Sequence, residues 1–287
     1  MTGPVACRTR HLAATQRGTD PPEGRRSQAL AAVVITYNAE RGIVRCLESL
    51  SFCEEVVVVD SGSEDRTREL AGRFTRKVFL QPWQGYAQQK NYANGLTDCD
   101  WVLSLDADEE VSDQLRSEII EVFRAPIAPA AFSMPRKAFH LGRWILHGTW
   151  YPNRQVRLFR KSAGHWIGPE VHERWTTQGE IGRLEGHILH YSYTGVADQW
   201  ARAHLYASLT AARLHREGQR FSFSQLLVAP LQRFVWGYVL KRGFLDGYPG
   251  LVISACEAYT VFLGWYQLRR SIGGTGCAPH ASGSPPQ

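Results

Sequence analysis

The stretch Leu30–Tyr37, LAAVVITY, is short, apolar and rich in β-branched side chains. A run of that kind without polar alternation suits a strand covered on both faces. Just beyond it, Ile43, Leu47 and Leu50 stand at i, i+4 and i+7, the spacing of an amphipathic helix. Val56–Val59 is a second buried run, and it stops abruptly at Asp60-Ser61-Gly62-Ser63. Thr67, Leu70, Ala71 and Phe74 return to helical spacing. Lys77–Leu80 reads as a third strand and Gln84–Gly95 as a third helix. Asp100–Leu105, DWVLSL, is a fourth strand that ends in Asp106-Ala107-Asp108-Glu109. Strand and helix therefore alternate from about residue 30 to 124. That order implies a parallel, doubly wound α/β sheet, whose ligands bind outside the carboxyl ends of the strands.

Downstream, Ala131–Phe139, Gln155–Arg160 and Gly186–Tyr193 alternate as half-exposed strands, implying mixed or antiparallel sheet. Val196–Glu217 is helical in pattern, with Gly218 as its stop. Residues 1–28 and 271–287 lack periodicity and read as tails.

With 287 residues, 44% hydrophobic and 21% charged, the chain belongs to the folded globular class. Disordered, collagen-like and coiled-coil chains are excluded. The length suits one large domain or two modest ones. Lys and Arg number 33 against 27 Asp and Glu, a net charge of +6. Such a surface favours anions: nucleotides, phosphates, nucleic acid or an anionic membrane face. The 6 cysteines are scattered without CxxC or zinc-like spacing, which reads as a reduced, cytoplasmic chain. No apolar segment follows the basic N-terminus, so no secretory signal is expected.

Two strands end in acidic residues at the edge where ligands bind. Fixed negative charge there repels a phosphate unless a divalent cation stands between them. Asp106 and Asp108, two apart in an extended segment, share a face. One carboxylate can bind Mg²⁺ or Mn²⁺ while the other meets a ribose or the metal's water. Asp60 can accept the imide N–H of uracil, or it can simply cap the following helix together with Ser63.

The ordered set AVVITYNAE, VVVVDSGSEDRT, QGYAQQKNYA and LSLDADEE resembles the family 2 inverting glycosyltransferases, which have the GT-A fold and use nucleotide-diphosphate sugars. RQVRLFRK, PEVHERW and ILHYSY resemble more narrowly the bacterial lipopolysaccharide core β-glucosyltransferases. The resemblance spans about residues 30–268. It implies a Rossmann-like nucleotide-sugar-binding half over 29–127, a mixed-sheet acceptor and catalytic half over 128–195, and C-terminal amphipathic helices over 196–270. Thr36, Tyr37, Asn38 and Glu40 would line the nucleobase and ribose pocket, and Asp60 would bind uracil. Lys90 would approach the donor pyrophosphate or sugar, Asp106 the ribose or metal shell, and Asp108 would ligate the metal. Many members carry Glu directly after the Asn; here Ala39 intervenes before Glu40, which leaves the role of Glu40 open.

Sugar transfer of this kind needs a base for the acceptor hydroxyl, opposite the leaving diphosphate. Glu173, in PEVHE, matches the subgroup's motif and is the expected base, with Glu170 as the fallback. HExxH fails because position 176 is Thr. His190 either closes the metal site or is a hydrogen-bonded histidine in a sheet. Arg154, Arg157 and Arg160 alternate along one strand, facing an anionic acceptor or merely decorating its surface. Trp144, Trp150, Trp166 and Trp175 crowd the same region, with Trp150 a candidate platform for a sugar.

Leu251–Tyr266 is mostly apolar but, at about 16 residues, shorter than the roughly 20 that span a bilayer. Leu226–Leu240 is interrupted by Pro230, Gln232 and Arg233. Lys241, Arg242, Arg269 and Arg270 flank these runs, so both suit the inner face of an anionic cytoplasmic membrane, or else complete a core or a dimer contact. The expected reaction is transfer from a nucleotide sugar, UDP-glucose foremost, to a lipid-linked glycan such as the lipopolysaccharide inner core. A polyprenyl-phosphate glycosyltransferase shares the early motifs. A basic nucleic-acid-binding protein lacks any helix-turn-helix, RNP or zinc signature here, and nucleic acid is not an expected partner.

Overall fold

The computed structural model describes residues 28–168, 173–193 and 195–272. The two tails expected from the sequence lie outside the described residues except at their inner margins, and so does Glu170.

The first half alternates strand and helix: β1 (Leu30–Thr36), α1 (Ile43–Ser49), β2 (Glu55–Asp60), α2 (Thr67–Ala71), β3 (Val78–Leu80), α3 (Tyr86–Asn94) and β4 (Trp101–Asp106). Then come β5 (Glu109–Val111), α4 (Asp113–Val122), β6 (Ala131–His140), β7 (Arg143–Trp144), β8 (Asn153–Arg160), β9 (Gly164–Ile167), β10 (Arg174–Thr177), β11 (Ile181–Arg183) and β12 (Ile188–His190). The chain closes with α5 (Val196–Arg216), α6 (Phe223–Phe234), a π-helical turn (Val235–Leu240) and α7 (Tyr248–Ile272).

The main sheet runs β3-β2-β1-β4-β8-β6-β12-β5. β3, β2, β1 and β4 are parallel. β8 then joins β4 antiparallel, and β6 joins β8 antiparallel. The expected doubly wound half and the mixed half are thus one continuous sheet. Every residue of β1 is buried, because both faces are covered. Ala32, Val34, Leu103 and Leu105 point to the α1 and α4 side, against Ile43, Leu47, Leu115 and Ile119. Val33, Ile35, Val57 and Val102 point the other way, towards Ala87 and Ala93 of α3 and the Phe159–Trp166–Trp175 group. Period-two alternation feeds two cores from one apolar run.

Register brings three carboxyl ends together. Thr36 pairs with Asp60 across β1 and β2, and Ile35 pairs with Asp106 across β1 and β4. Because β8 is antiparallel to β4, its amino end and the preceding loop reach the same edge. The segment expected as a strand over Gly186–Tyr193 keeps strand form only at Ile188–His190. Its approach is fixed by α4: Glu118 accepts the N–H groups of Glu185 and Gly186 at 2.8 and 2.9 Å, and Ser112 Oγ accepts that of His187 at 3.1 Å. The last helix exceeds the expected 251–266 because Pro249 sits in its first turn, where a missing N–H costs nothing. Among the described residues no helix is long and apolar enough to cross a membrane.

Gly186 lies flush on α4. A Cβ there would meet the Cα of Leu115 at 2.3 Å, and backbone cannot yield as a flexible side chain does. Gly186→Ala is expected to destabilise the chain by about 1–3 kcal/mol through overpacking, read as a lowered urea midpoint at unchanged slope.

Candidate active site

The turn that follows β4 places Asp106, Asp108 and Glu109 at the sheet edge. Glu109 Oε2 accepts the N–H of Asp106 at 3.0 Å, which closes the turn. The Asp106 carboxylate lies between two cations: Arg157 Nη2 donates to Oδ2 at 2.7 Å and Lys90 Nζ stands 3.0 Å from Oδ1. Arg157 also donates to Glu109 Oε1 at 3.1 Å, which Arg136 reaches at 3.0 Å. On the far side Lys90 donates to Glu173 Oε1 at 2.7 Å. The result is one connected chain, Glu173–Lys90–Asp106–Arg157–Glu109–Arg136, in which carboxylates and cations alternate.

Burial explains why the chain must be continuous. The side chain of Lys90 is 0% exposed and that of Arg157 is 2%. A cation removed from water is tolerated only when paired and hydrogen-bonded. Trp166 supplies a further surface: Lys90 Nζ is 4.8 Å from its ring centroid and the Arg157 guanidinium 5.8 Å. Burial alone would push the Asp106 carboxyl up, but Arg157 and Lys90 outweigh it and hold the group well below the usual carboxylate range. Burial would likewise weaken the protonation of Arg157, and Asp106 and Glu109 reverse that.

Asp108 stands apart from this network. Its side chain is 41% exposed, and its Oδ2 lies 3.2 Å from His190 Nε2. Strand pairing sets His190 opposite Glu109, and Tyr191 N–H donates to the Asp108 carbonyl at 3.0 Å. Burial tends to raise the Asp108 carboxyl, but His190 prevails and holds it below its ordinary value. Among the described residues no group of three or more His, Cys, Asp or Glu converges as a self-contained metal centre. A carboxylate oxygen beside an imidazole nitrogen does fit a Mg²⁺ or Mn²⁺ ion that takes its other ligands from a diphosphate and water.

The β1 and β2 loops are stitched together at the same edge. Asn38, at a left-handed φ of 46°, donates its N–H to Ser63 Oγ at 2.8 Å, and its Oδ1 accepts Glu64 N–H at 2.9 Å. Glu40 Oε2 accepts Arg66 N–H at 3.3 Å. Asp60 is fully buried; its Oδ1 accepts Gly62 and Ser63 N–H at 3.0 and 2.8 Å, and its Oδ2 accepts the Ser63 hydroxyl. In this conformation Asp60 therefore holds the turn, with no surface turned to a base. Thr36 is buried with its hydroxyl unpartnered among the described residues, and Tyr37 is half-buried.

The residues expected at the acceptor side separate. Arg157 is spent on Asp106 and Glu109, so the strand face it occupies is the inner one, and it has no exposed fork for an anionic acceptor. Arg154 donates to Leu184 O and Ser133 O and pairs with Glu185, while Arg160 pairs with Asp100 at 3.6 Å. The tryptophans do not form one cluster. Trp166 and Trp175 pack on Phe159 in the core, Trp144 meets Phe139 and Tyr191, and Trp150 stacks on Tyr193 at 5.3 Å and donates to Glu257 at 3.2 Å. Arg136 and Glu257 carry no motif in the sequence; only register and helix packing reveal them.

The family described as "Glycosyl transferase family 2" matches residues 31–178. Over 252 residues the chain is 31% identical to an uncharacterized glycosyltransferase of Rickettsia typhi, covering 84% of this chain and 86% of the relative. It is 28% identical over 241 residues to LpsC of Rhizobium meliloti, a lipopolysaccharide core biosynthesis glycosyltransferase, covering 82% and 89%. A glucosyl-3-phosphoglycerate synthase from Mycobacterium tuberculosis, solved with Mn²⁺, UDP-glucose and glycerol 3-phosphate, aligns with a TM-score of 0.43 at 15% identity, covering 72% of this chain and 88% of that one. The chain belongs to glycosyltransferase family 2, and its fold is the GT-A fold.

Arg157→Met keeps length and removes charge, leaving Asp106 and Glu109 without their shared cation. The expected loss is about 3–5 kcal/mol of stability at neutral pH, measured by urea unfolding. A depressed carboxyl stabilises the fold above its unfolded pKa and ceases to do so as pH falls, so the gap between wild type and variant should narrow below about pH 4.

Proposed function

We propose that this family 2 glycosyltransferase moves a hexosyl group, glucose from UDP-glucose, onto a hydroxyl of a lipid-linked glycan of the lipopolysaccharide core type, with inversion at the anomeric carbon. The likeness to LpsC supports the acceptor class. The observation that carries the chemistry is Lys90 bridging Glu173 and Asp106 at 2.7 and 3.0 Å.

Thr36, Tyr37, Asn38 and Glu40 line the crevice between the β1 and β2 loops for the nucleoside, and Asp60 supports it from beneath by fixing the turn at 60–63. Lys90 sets positive charge beside the diphosphate while its second bond orients Glu173. Glu173 Oε1 is held by that bond, and the carboxylate takes the proton of the acceptor hydroxyl as its oxygen attacks the anomeric carbon. The bond from the new oxygen forms as the bond to the β-phosphate breaks, and UDP departs. Asp108 and His190 would hold Mg²⁺ or Mn²⁺. When bound, that ion offsets charge on the leaving diphosphate without proton transfer.

A hydroxyl acceptor is favoured over a polyprenyl phosphate on chemical grounds. A phosphate monoester is already ionised and needs no base, whereas a hydroxyl does. A carboxylate fixed beside the donor lysine is superfluous in the first reaction and necessary in the second. A lipid-linked acceptor brings the enzyme to the inner face of the cytoplasmic membrane.

Glu173→Gln should retain UDP-glucose binding by calorimetry and lose turnover by about 10²–10⁴-fold; unchanged turnover would move the base elsewhere. Asp108→Asn should abolish transfer and remove the enhancement of UDP binding by Mn²⁺. Transfer that survives both the substitution and a chelator would exclude a metal-assisted departure.

A further inference from the structure

α6 is a helix with one packed side and one bare side. It has no buried residue, although eight of its twelve residues, FSQLLVAPLQRF, are apolar. Leu226 and Ala229 lean on the small core of Leu214, Trp265 and Leu268. Phe223, Leu227 and Leu231, at i, i+4 and i+8, are 63%, 70% and 63% exposed. The π-helical turn continues the bare stripe with Trp236 and Leu240. An open apolar groove of about 690 Å³ lies within this face, lined by Ala229, Leu231, Trp236 and Val261 among others. An exposed apolar surface of this continuity marks an interaction site.

Charge identifies the partner. From Phe223 to Leu251 the sequence carries one carboxylate, Asp246. It is buried, accepting the N–H groups of Leu146 and His147 at 3.2 and 2.8 Å. Arg220, Lys241 and Arg242 are exposed at the rim, and Lys241 Nζ lies 5.3 Å over the Trp236 ring. From Arg220 to Leu251 the exposed charges are therefore all positive. Apolar anchors, an interfacial tryptophan and a cationic rim fit a surface of anionic lipid. A two-fold contact with a second copy would instead set the cationic rim against itself.

The face is fastened to the catalytic edge. Gly148 N–H donates to Lys241 O at 2.9 Å, and Glu257 accepts from Thr149 at 2.7 Å and from Trp150 at 3.2 Å. A Cβ on Gly148 would lie 3.6 Å from the Cα of Gly243 and 3.8 Å from Gly237 O, so the loop and the C-terminal segment pack backbone to backbone. Residues 148–150 belong to the loop that enters β8, at the edge where β4 ends.

We propose that the outer face of α6 and the following π-helical turn docks on an anionic lipid bilayer, with the apolar stripe at the headgroup–acyl boundary and Arg220, Lys241 and Arg242 on lipid phosphates. This deepens the reading of a lipid-linked acceptor and rests on it for its purpose, but is tested without catalysis. The full chain should float with vesicles of phosphatidylethanolamine and phosphatidylglycerol, weakly with phosphatidylcholine alone, and less as salt rises. The double variant Leu227→Glu, Leu231→Glu should lose vesicle partition by about tenfold or more with an unchanged melting midpoint, and Arg220→Glu with Lys241→Glu should lose the preference for phosphatidylglycerol. Failure of the wild type to float, or equal flotation of the variants, overturns the proposal. So does a concentration-dependent dimer dispersed by Leu227→Glu, Leu231→Glu in a chain that ignores vesicles. Flotation as expected in a chain that transfers no sugar leaves the docking face standing and sinks the reaction.

Discussion

Lys90 and Arg157 have almost no contact with solvent, and both meet the carboxylate of Asp106. Neither cation is tolerable alone in that position, and the ionised Asp106 is stabilised there only because both are present. The pairing therefore obliges α3, which carries Lys90, and β8, which carries Arg157, to converge on the end of β4. Glu109 and Glu173 then balance the remaining charge, and Arg136 completes the balance on Glu109. In this chain every charge has an opposite neighbour, so any single break strands a charge, although Nε and Nη1 of Arg157 are buried without a hydrogen-bond partner among the described residues. That constraint suits the proposed reaction, in which a base, a leaving group and a cation-binding pair have to be aligned.

The parallel half was readable because its signals are local. LAAVVITY, VVVV and DWVLSL are buried strands by composition, and the acids closing two of them stand at the ligand edge by a general rule of such sheets. The mixed half resisted because its signals are relational. Alternation along RQVRLFR says that Arg157 lies on one face but not which face is inward. The register of Leu103 with Leu158 decides that, and it arises from residues 55 positions apart. Arg136 meets Glu109 through a different long-range pairing, across β12, whose Ile188 pairs with Arg136 and whose His190 pairs with Glu109, and it has no sequence mark at all. The tryptophans are clustered in sequence yet divided in space, since β8 to β10 fold Trp166 and Trp175 into the core under the sheet while Trp144 lies on β7, paired with Phe139, and Trp150 in the loop that enters β8.

Asp60 shows how a residue can satisfy two readings unequally. The sequence allowed a base-binding carboxylate or a turn cap. The turn accounts for the hydrogen bonds its carboxylate makes, and its side chain is closed to solvent. A carboxylate so enclosed shapes a pocket through the backbone it holds, and the loops it joins are cross-linked further by Asn38 and Glu40. Under the proposed function, donor recognition at this edge then depends on loop geometry as much as on any one side chain.

The antiparallel placement of β8 beside β4 settles how the two functions are joined. Its interior residue, Arg157, secures the charge network. The loop leading into its amino end is held by Asp246 and Glu257 of the C-terminal segment. One strand thus ties a site whose chemistry needs dry, fixed charges to a surface whose apolar residues find no partner within the fold. Those requirements conflict if met in one place, since a bare apolar face beside buried ions would invite lipid or water among them. Placing them at opposite ends of one loop keeps the buried cations Lys90 and Arg157 against Trp166 and separates them from the exposed helix. On the proposed reading, variation in acceptor or membrane is expected on the outer stripe of α6, at Phe223, Leu227 and Leu231, which are exposed, rather than at Leu226 and Ala229, which pack on the C-terminal core.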